Sequence, residues 1–175
     1  MSRRFAGFCL LSAFALVSKA DAAPAEIAAA IHSEQPFGVG AVRFLVLTAY
    51  RASLWTDAPA WSMTAPFALI IRYGMGFASG ELGDRTIAEM KHVDPALSDA
   101  ETARLRPQLA RVFPAVKSGD RITALYVPGK PVVFFKNGVS TGSIRGRAFA
   151  RDFFGIWLSP NTSDPDLRRD LLKAR

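Results

Sequence analysis

The chain has 175 residues, with 22 Lys and Arg against 15 Asp and Glu for a formal charge of +7, half of its residues hydrophobic, and a single Cys. That length and apolar content fit one domain with a sizeable core and exclude general disorder. The lone Cys excludes an intrachain disulfide framework and any multi-Cys zinc site.

Arg3 and Arg4 form a basic start, Phe5 to Val17 an apolar run of 13 residues, and Ala20-Asp21-Ala22 a small-x-small pattern ahead of Ala23. This order predicts a secretory signal peptide over residues 1–22, cleaved after Ala22. The apolar run falls short of the roughly 20 residues that a membrane-spanning helix needs. Removing those 22 residues, which carry Arg3, Arg4 and Lys19 against Asp21, leaves 153 residues at +5 and no Cys. Thiolate catalysis and Cys metal ligands go with it. A periplasmic or secreted location is expected.

Residues 23–36 are Ala-rich and end at Pro36, and read as a partly helical lead-in to a domain over 37–175. Val39 to Tyr50 is a β-favouring run that Leu54-Trp55 extends, and Asp57-Ala58-Pro59 ends it. Phe67 to Tyr73 alternates, with Phe67, Leu69, Ile71 and Tyr73 on one face and Ala68, Ile70 and Arg72 on the other. Two or three antiparallel strands are expected here.

Helical spacing follows. Ile87, Met90 and Val93 share a face over Thr86–Val93. Ser98 and Glu101 form a capping box ahead of Leu105, Leu109, Val112 and Phe113, and Pro114 stops that helix. Period two then returns in Arg121–Val127, Val132–Lys136 and Val139–Ile144, the last two joined by Asn137-Gly138, a strong two-residue hairpin signal. Phe149, Phe153, Ile156 and Trp157 are helical again, and Asp164-Pro165 opens a helix that runs through Leu172. Strands, helices, strands, helices without a repeat predict an α+β domain, an antiparallel sheet with helices gathered on one side.

Several motifs match known chemistry in letters only. Gly138-Val139-Ser140-Thr141-Gly142 spells a hydrolase elbow, but its Ser enters a strand and both His32 and His92 precede it. Glu89-x-x-His92 puts both side chains on one helical face, yet a di-metal site needs a second such motif and further glutamates. It reads as an exposed His near a helix end. Gly38-x-Gly40 and Gly74-x-Gly76 lack the rest of a dinucleotide fingerprint and read as flexible strand or loop, Gly74-Met75-Gly76 as a tight bend. No cofactor or metal is expected.

Arg145, Arg147, Arg151, Arg168, Arg169, Lys173 and Arg175 carry part of the cationic surplus. They read as solvated helical faces with no nucleic-acid pattern; attraction to an anionic ligand or membrane surface stays open. Arg43 and Arg72 lie inside strands, and burying an unpaired guanidinium costs several kcal/mol, on the order of the loss of a buried ion-pair partner. Each calls for an internal salt bridge, an outward orientation, or a ligand carboxylate.

Larger strings carry a resemblance: Gly119-Asp120-Arg121-Ile122, then Phe135-Lys136-Asn137-Gly138-Val139-Ser140-Thr141-Gly142, then Phe153-Phe154-Gly155-Ile156-Trp157-Leu158. Upstream stand Gly38-x-Gly40-x-x-Arg43-Phe44 and Tyr50-Arg51-Ala52-Ser53-Leu54-Trp55. Over about residues 37–172 the chain resembles the chalcone isomerase-like family, in its bacterial exported branch. The resemblance implies one large antiparallel sheet, helices layered on one face and a ligand cleft between. The plant isomerases use an Arg, a Thr, a Tyr and an Asn around their substrate. Arg43 resembles the Arg and Thr48 can stand for the Thr, but residues 78–94 contain neither Tyr nor Asn. Non-catalytic relatives hold a fatty-acid carboxylate with an Arg and a Tyr. The resemblance thus implies a ligand site drawn from Arg43, Thr48, Tyr50, Arg72 and Tyr73, for a small, largely apolar anion such as a fatty acid. An isomerase acting on another substrate is the alternative.

Overall fold

The computed structural model describes residues 23–44 and 47–173; the expected signal segment lies outside them. The elements in chain order are β1 (Gly38–Phe44), β2 (Leu47–Trp55), β3 (Phe67–Tyr73), α1 (Ser79–Val93), α2 (Asp99–Val112), β4 (Arg121–Tyr126), β5 (Val132–Lys136), β6 (Val139–Ile144), α3 (Arg147–Leu158) and α4 (Pro165–Leu172). The six strands form one sheet in the order β1-β2-β3-β4-β5-β6, every neighbouring pair antiparallel. The α+β architecture expected from the alternation of elements is the one observed.

Local signals set most boundaries. Asn137 and Gly138 both take positive φ (50° and 87°), the conformation that a tight hairpin between right-twisted strands requires. At α2 the Ser98 hydroxyl accepts from the Glu101 amide at 3.2 Å while the Glu101 carboxylate accepts from the Ser98 amide at 2.9 Å. Asp164 accepts from the Leu167 amide at 2.9 Å and Pro165 occupies the first turn of α4. Helix α1 begins earlier than its apolar spacing suggested, because Glu81 accepts from the Ala78 amide at 2.8 Å and Ser79 ties its hydroxyl to the Phe113 carbonyl at 2.5 Å. The apolar run over 39–50 divides into two antiparallel strands, Phe44 registering against Leu47, with a bulge between Val42 and Arg43.

The two faces of β3 are the two predicted ones. Phe67, Leu69 and Ile71 enter the main core with Leu109, Phe134, Phe153 and Phe154, whereas Ala68 and Ile70 join a smaller cluster on the reverse face. Phe154 is fully buried, its ring centroid 4.6 Å from that of Phe67 in an edge-on contact. Each such buried side chain supplies roughly 1.5–3 kcal/mol of apolar burial. Helix α1 packs on α2 and α3, α3 on α4, α4 on β1 and β2, and α2 on β6, so one side of the sheet is roofed.

The reverse face is covered by the lead-in. Ile27 and Ile31 are buried there against Trp55, Ala68 and Ile70. Glu26, its side chain 4% exposed, takes Arg121 Nη2 at 2.8 Å and the Thr123 hydroxyl at 2.8 Å. Gly38 and Gly40 serve close approach rather than flexibility. A Cβ on Gly40 would lie 2.5 Å from Leu167 Cδ1, and one on Gly38 would run into the Leu171 carbonyl, so both admit α4 onto β1. Among the described residues no helix is long and apolar enough to cross a membrane.

Candidate ligand-binding site

A cavity of about 520 Å³ opens between the sheet and the helical roof. Leu69, Ile71, Ile122 and Ala124 form its floor, with Ile71 paired to Ile122 and Leu69 to Ala124 across β3 and β4. Leu82, Phe113, Phe153, Ile156 and Leu167 close it from the helices. Small-molecule sites typically run to roughly 300–1,000 Å³ with an apolar lining and a few placed polar groups. This cavity has both properties.

Its polar groups come from separate elements. Tyr50 on β2 and Tyr73 on β3 are cross-strand partners with ring centroids 6.4 Å apart. Both line the cavity, as do Arg43 on β1, Arg85, Thr86 and Glu89 on α1, Trp157 on α3, and Ser163 and Asp164 ahead of α4. Trp157 Nε1 donates to the Tyr50 hydroxyl oxygen at 3.1 Å, so the Tyr50 proton remains to be donated elsewhere. Burial pushes Tyr50 up to about 12, partly offset by the Trp157 hydrogen bond, and burial likewise raises Tyr73. Both phenols stay protonated across the physiological range and act as donors. Arg85 stands 5.8 Å over the Phe77 ring. Arg43 is exposed at the cavity and has no acid partner among the described residues.

Of the five residues the sequence singled out, the fold brings Arg43, Tyr50 and Tyr73 to one cavity. Thr48 pairs with Arg43 across the bulge but does not line it. Arg72 follows Ile71 and so projects from the reverse face of β3, pairing in register with Arg121 on β4. Arg85 and Thr86 were not expected here, and Glu89 was weighed only as half of a metal motif. Their signal was available, since with Leu82 they hold positions i, i+3, i+4 and i+7, one stripe of α1. That stripe is mostly polar, so a search for apolar periodicity passes over it.

The other motifs resolve simply. Ser140 is exposed on β6 directly after the hairpin, without the strand–turn–helix geometry of a hydrolase elbow. His92 is exposed, and no group of three or more His, Cys, Asp or Glu among the described residues could hold a metal ion. Arg151 is paired with Asp94 and Asp152, both at 2.6 Å.

A six-stranded meander roofed on one face, with an apolar cavity rimmed by Arg and Tyr beneath the roof, defines a one-sheet α+β fold with an internal cleft. The chalcone isomerase-like family profile matches residues 37–173, and the chain belongs to that family. Among solved structures it is similar to the Arabidopsis thaliana fatty-acid binding protein, with a TM-score of 0.59 at 12% identity, over 78% of this chain and 85% of that one. No curated protein matches.

Proposed function

We propose that this protein is an exported, periplasmic binding protein of the chalcone isomerase-like family that holds a small, largely apolar anion such as a fatty acid without transforming it. The observation that carries this reading is the 520 Å³ cavity itself, apolar in its floor and roof, with Tyr50, Tyr73 and Arg43, which has no acid partner among the described residues, on its lining. Arg matches a carboxylate with two parallel hydrogen bonds and a phenol can add a third. The Arabidopsis neighbour, a fatty-acid binding protein, supports the same ligand class at the level of the fold. Proton transfer near neutral pH favours a group that titrates there, and burial holds Tyr50 and Tyr73 far above that range.

Ligand extraction followed by mass spectrometry tests the reading. Purified protein is expected to release an acyl carboxylate. Arg43→Ala is expected to weaken binding of a fluorescent fatty acid by about 10- to 100-fold, the value of a charge-assisted hydrogen bond. Unchanged affinity in that variant removes Arg43 from the site, and a protein that yields and binds no acyl carboxylate overturns the function.

A further inference from the structure

The cavity contains more than a fatty acid requires. On the stripe of α1 that faces it, Glu89 follows Arg85 by four residues, and Asp164 joins them from the loop before α4. Glu89 is half-buried; its Oε2 accepts from the Ser163 hydroxyl at 2.7 Å, and its other oxygen has no partner among the described residues. Asp164 uses Oδ1 on the Leu167 amide. Glu89, Arg85 and Asp164 line the same cavity as Tyr50. The lining therefore mixes two guanidiniums, Arg43 and Arg85, with two carboxylates, Glu89 and Asp164.

A plain carboxylate ligand would use the guanidiniums and be repelled by the acids. An ionised carboxylate can only accept hydrogen bonds, so a ligand group seated beside Glu89 has to donate one. We propose that the ligand is a hydroxylated acyl carboxylate, its carboxylate held by Arg43 and Arg85 and its hydroxyl donated to Glu89. This rests on the acyl-binding reading above and refines it. Side chains at i and i+4 on a helix start roughly 5–6 Å apart at Cβ, so Arg85 and Glu89 address groups a few carbons apart on one chain. The hydroxyl accordingly sits near the carboxylate end, and the remaining alkyl chain occupies the apolar floor. Discrimination follows from the unmade bond: a site built to take a hydroxyl leaves a polar group unsatisfied when an unsubstituted chain enters.

Competition against a bound fluorescent fatty acid, using delipidated full-length protein, separates the possibilities. The probes are myristate, 3-hydroxymyristate and tetradecylamine. Wild type is expected to bind 3-hydroxymyristate about tenfold more tightly than myristate. Glu89→Gln, which keeps the shape and a weaker acceptor, should reduce that ratio. Glu89→Leu should abolish it while strengthening myristate binding, because a like charge has gone. Equal affinity of the two acids for wild type overturns this inference and leaves acyl binding standing, as does a preference that survives in both variants. Tighter binding of tetradecylamine than of either acid overturns the assignment of the carboxylate to the arginines. Binding of neither acid by folded protein removes the acyl reading and this inference together.

Discussion

Asp120 joins two of the strings that carried the family resemblance. Its carboxylate accepts from Asn137 Nδ2 at 2.9 Å and from the Lys117 amide at 3.0 Å, and pairs with Lys136 Nζ at 3.0 Å. Asn137 in turn accepts from the Arg121 amide at 2.8 Å. Residues that are adjacent only as letters, Asp120-Arg121 and Lys136-Asn137, thus form one knot that fixes the β5–β6 hairpin to the start of β4. The Asn137 hydrogen bond, the Lys117 amide and Lys136 hold the Asp120 carboxyl well below the usual carboxylate range. A carboxyl depressed on folding contributes stability that is present above its unfolded value, about 3.9, and is lost as pH falls below it. The melting temperature is expected to drop as pH falls below about 4. Asp120→Asn should melt lower at pH 7 and show a shallower acid decline in thermal scans; an unchanged acid limb would remove Asp120 as its source. The letters located these residues without revealing that they bond to one another, since hydrogen bonding across 16 or 17 positions leaves no local period.

At the scale of elements, the lead-in acts as a cover. Without residues 23–36 the Trp55, Ala68 and Ile70 face of the sheet would meet water, and an exposed contiguous apolar face promotes association. Glu26 anchors this cover through a largely buried pair with Arg121, whose side chain is 23% exposed. Removing one partner of such a pair leaves an uncompensated charge and costs about 3 kcal/mol or more. Glu26→Ala is therefore expected to lower unfolding free energy by about that amount in urea titration, and to speed hydrogen exchange in residues 23–36. Undiminished stability would show that the apolar contacts of Ile27 and Ile31 hold the cover alone. Composition suggested only a partly helical lead-in, because docking on a sheet's reverse face is invisible in an Ala-rich segment. The glycines of β1 are a parallel case: Gly38 and Gly40 read as flexible until α4 is seen lying across them.

The described part of the molecule combines a closed core with an apolar-lined cavity beneath the helices. Residues 1–22 lie outside the described structure, and export remains our proposal. The cover begins close behind the expected cleavage point, and Ala23 packs against the reverse-face cluster. Intact-mass measurement of protein recovered from the periplasmic fraction is expected to give a chain that starts at Ala23. A mass corresponding to all 175 residues would mean that the leader is retained.

Sequence alone determined which residues share a side. Alternation in Phe67–Tyr73, the Ser98 capping box, the Asn137-Gly138 hairpin and the Asp164-Pro165 helix start depend on backbone geometry within a few residues, and the fold preserves each. Tertiary structure alone decided which sides meet. Tyr50 reaches Trp157 across 107 positions and Glu89 reaches Ser163 across 74. Arg43 was brought into the cavity while Thr48 and Arg72 were left out of its lining. Periodicity fixes the direction of a side chain relative to its own element. The cavity arises where α1, α3, α4 and the end of α2 converge on the sheet, and that convergence is a property of packing.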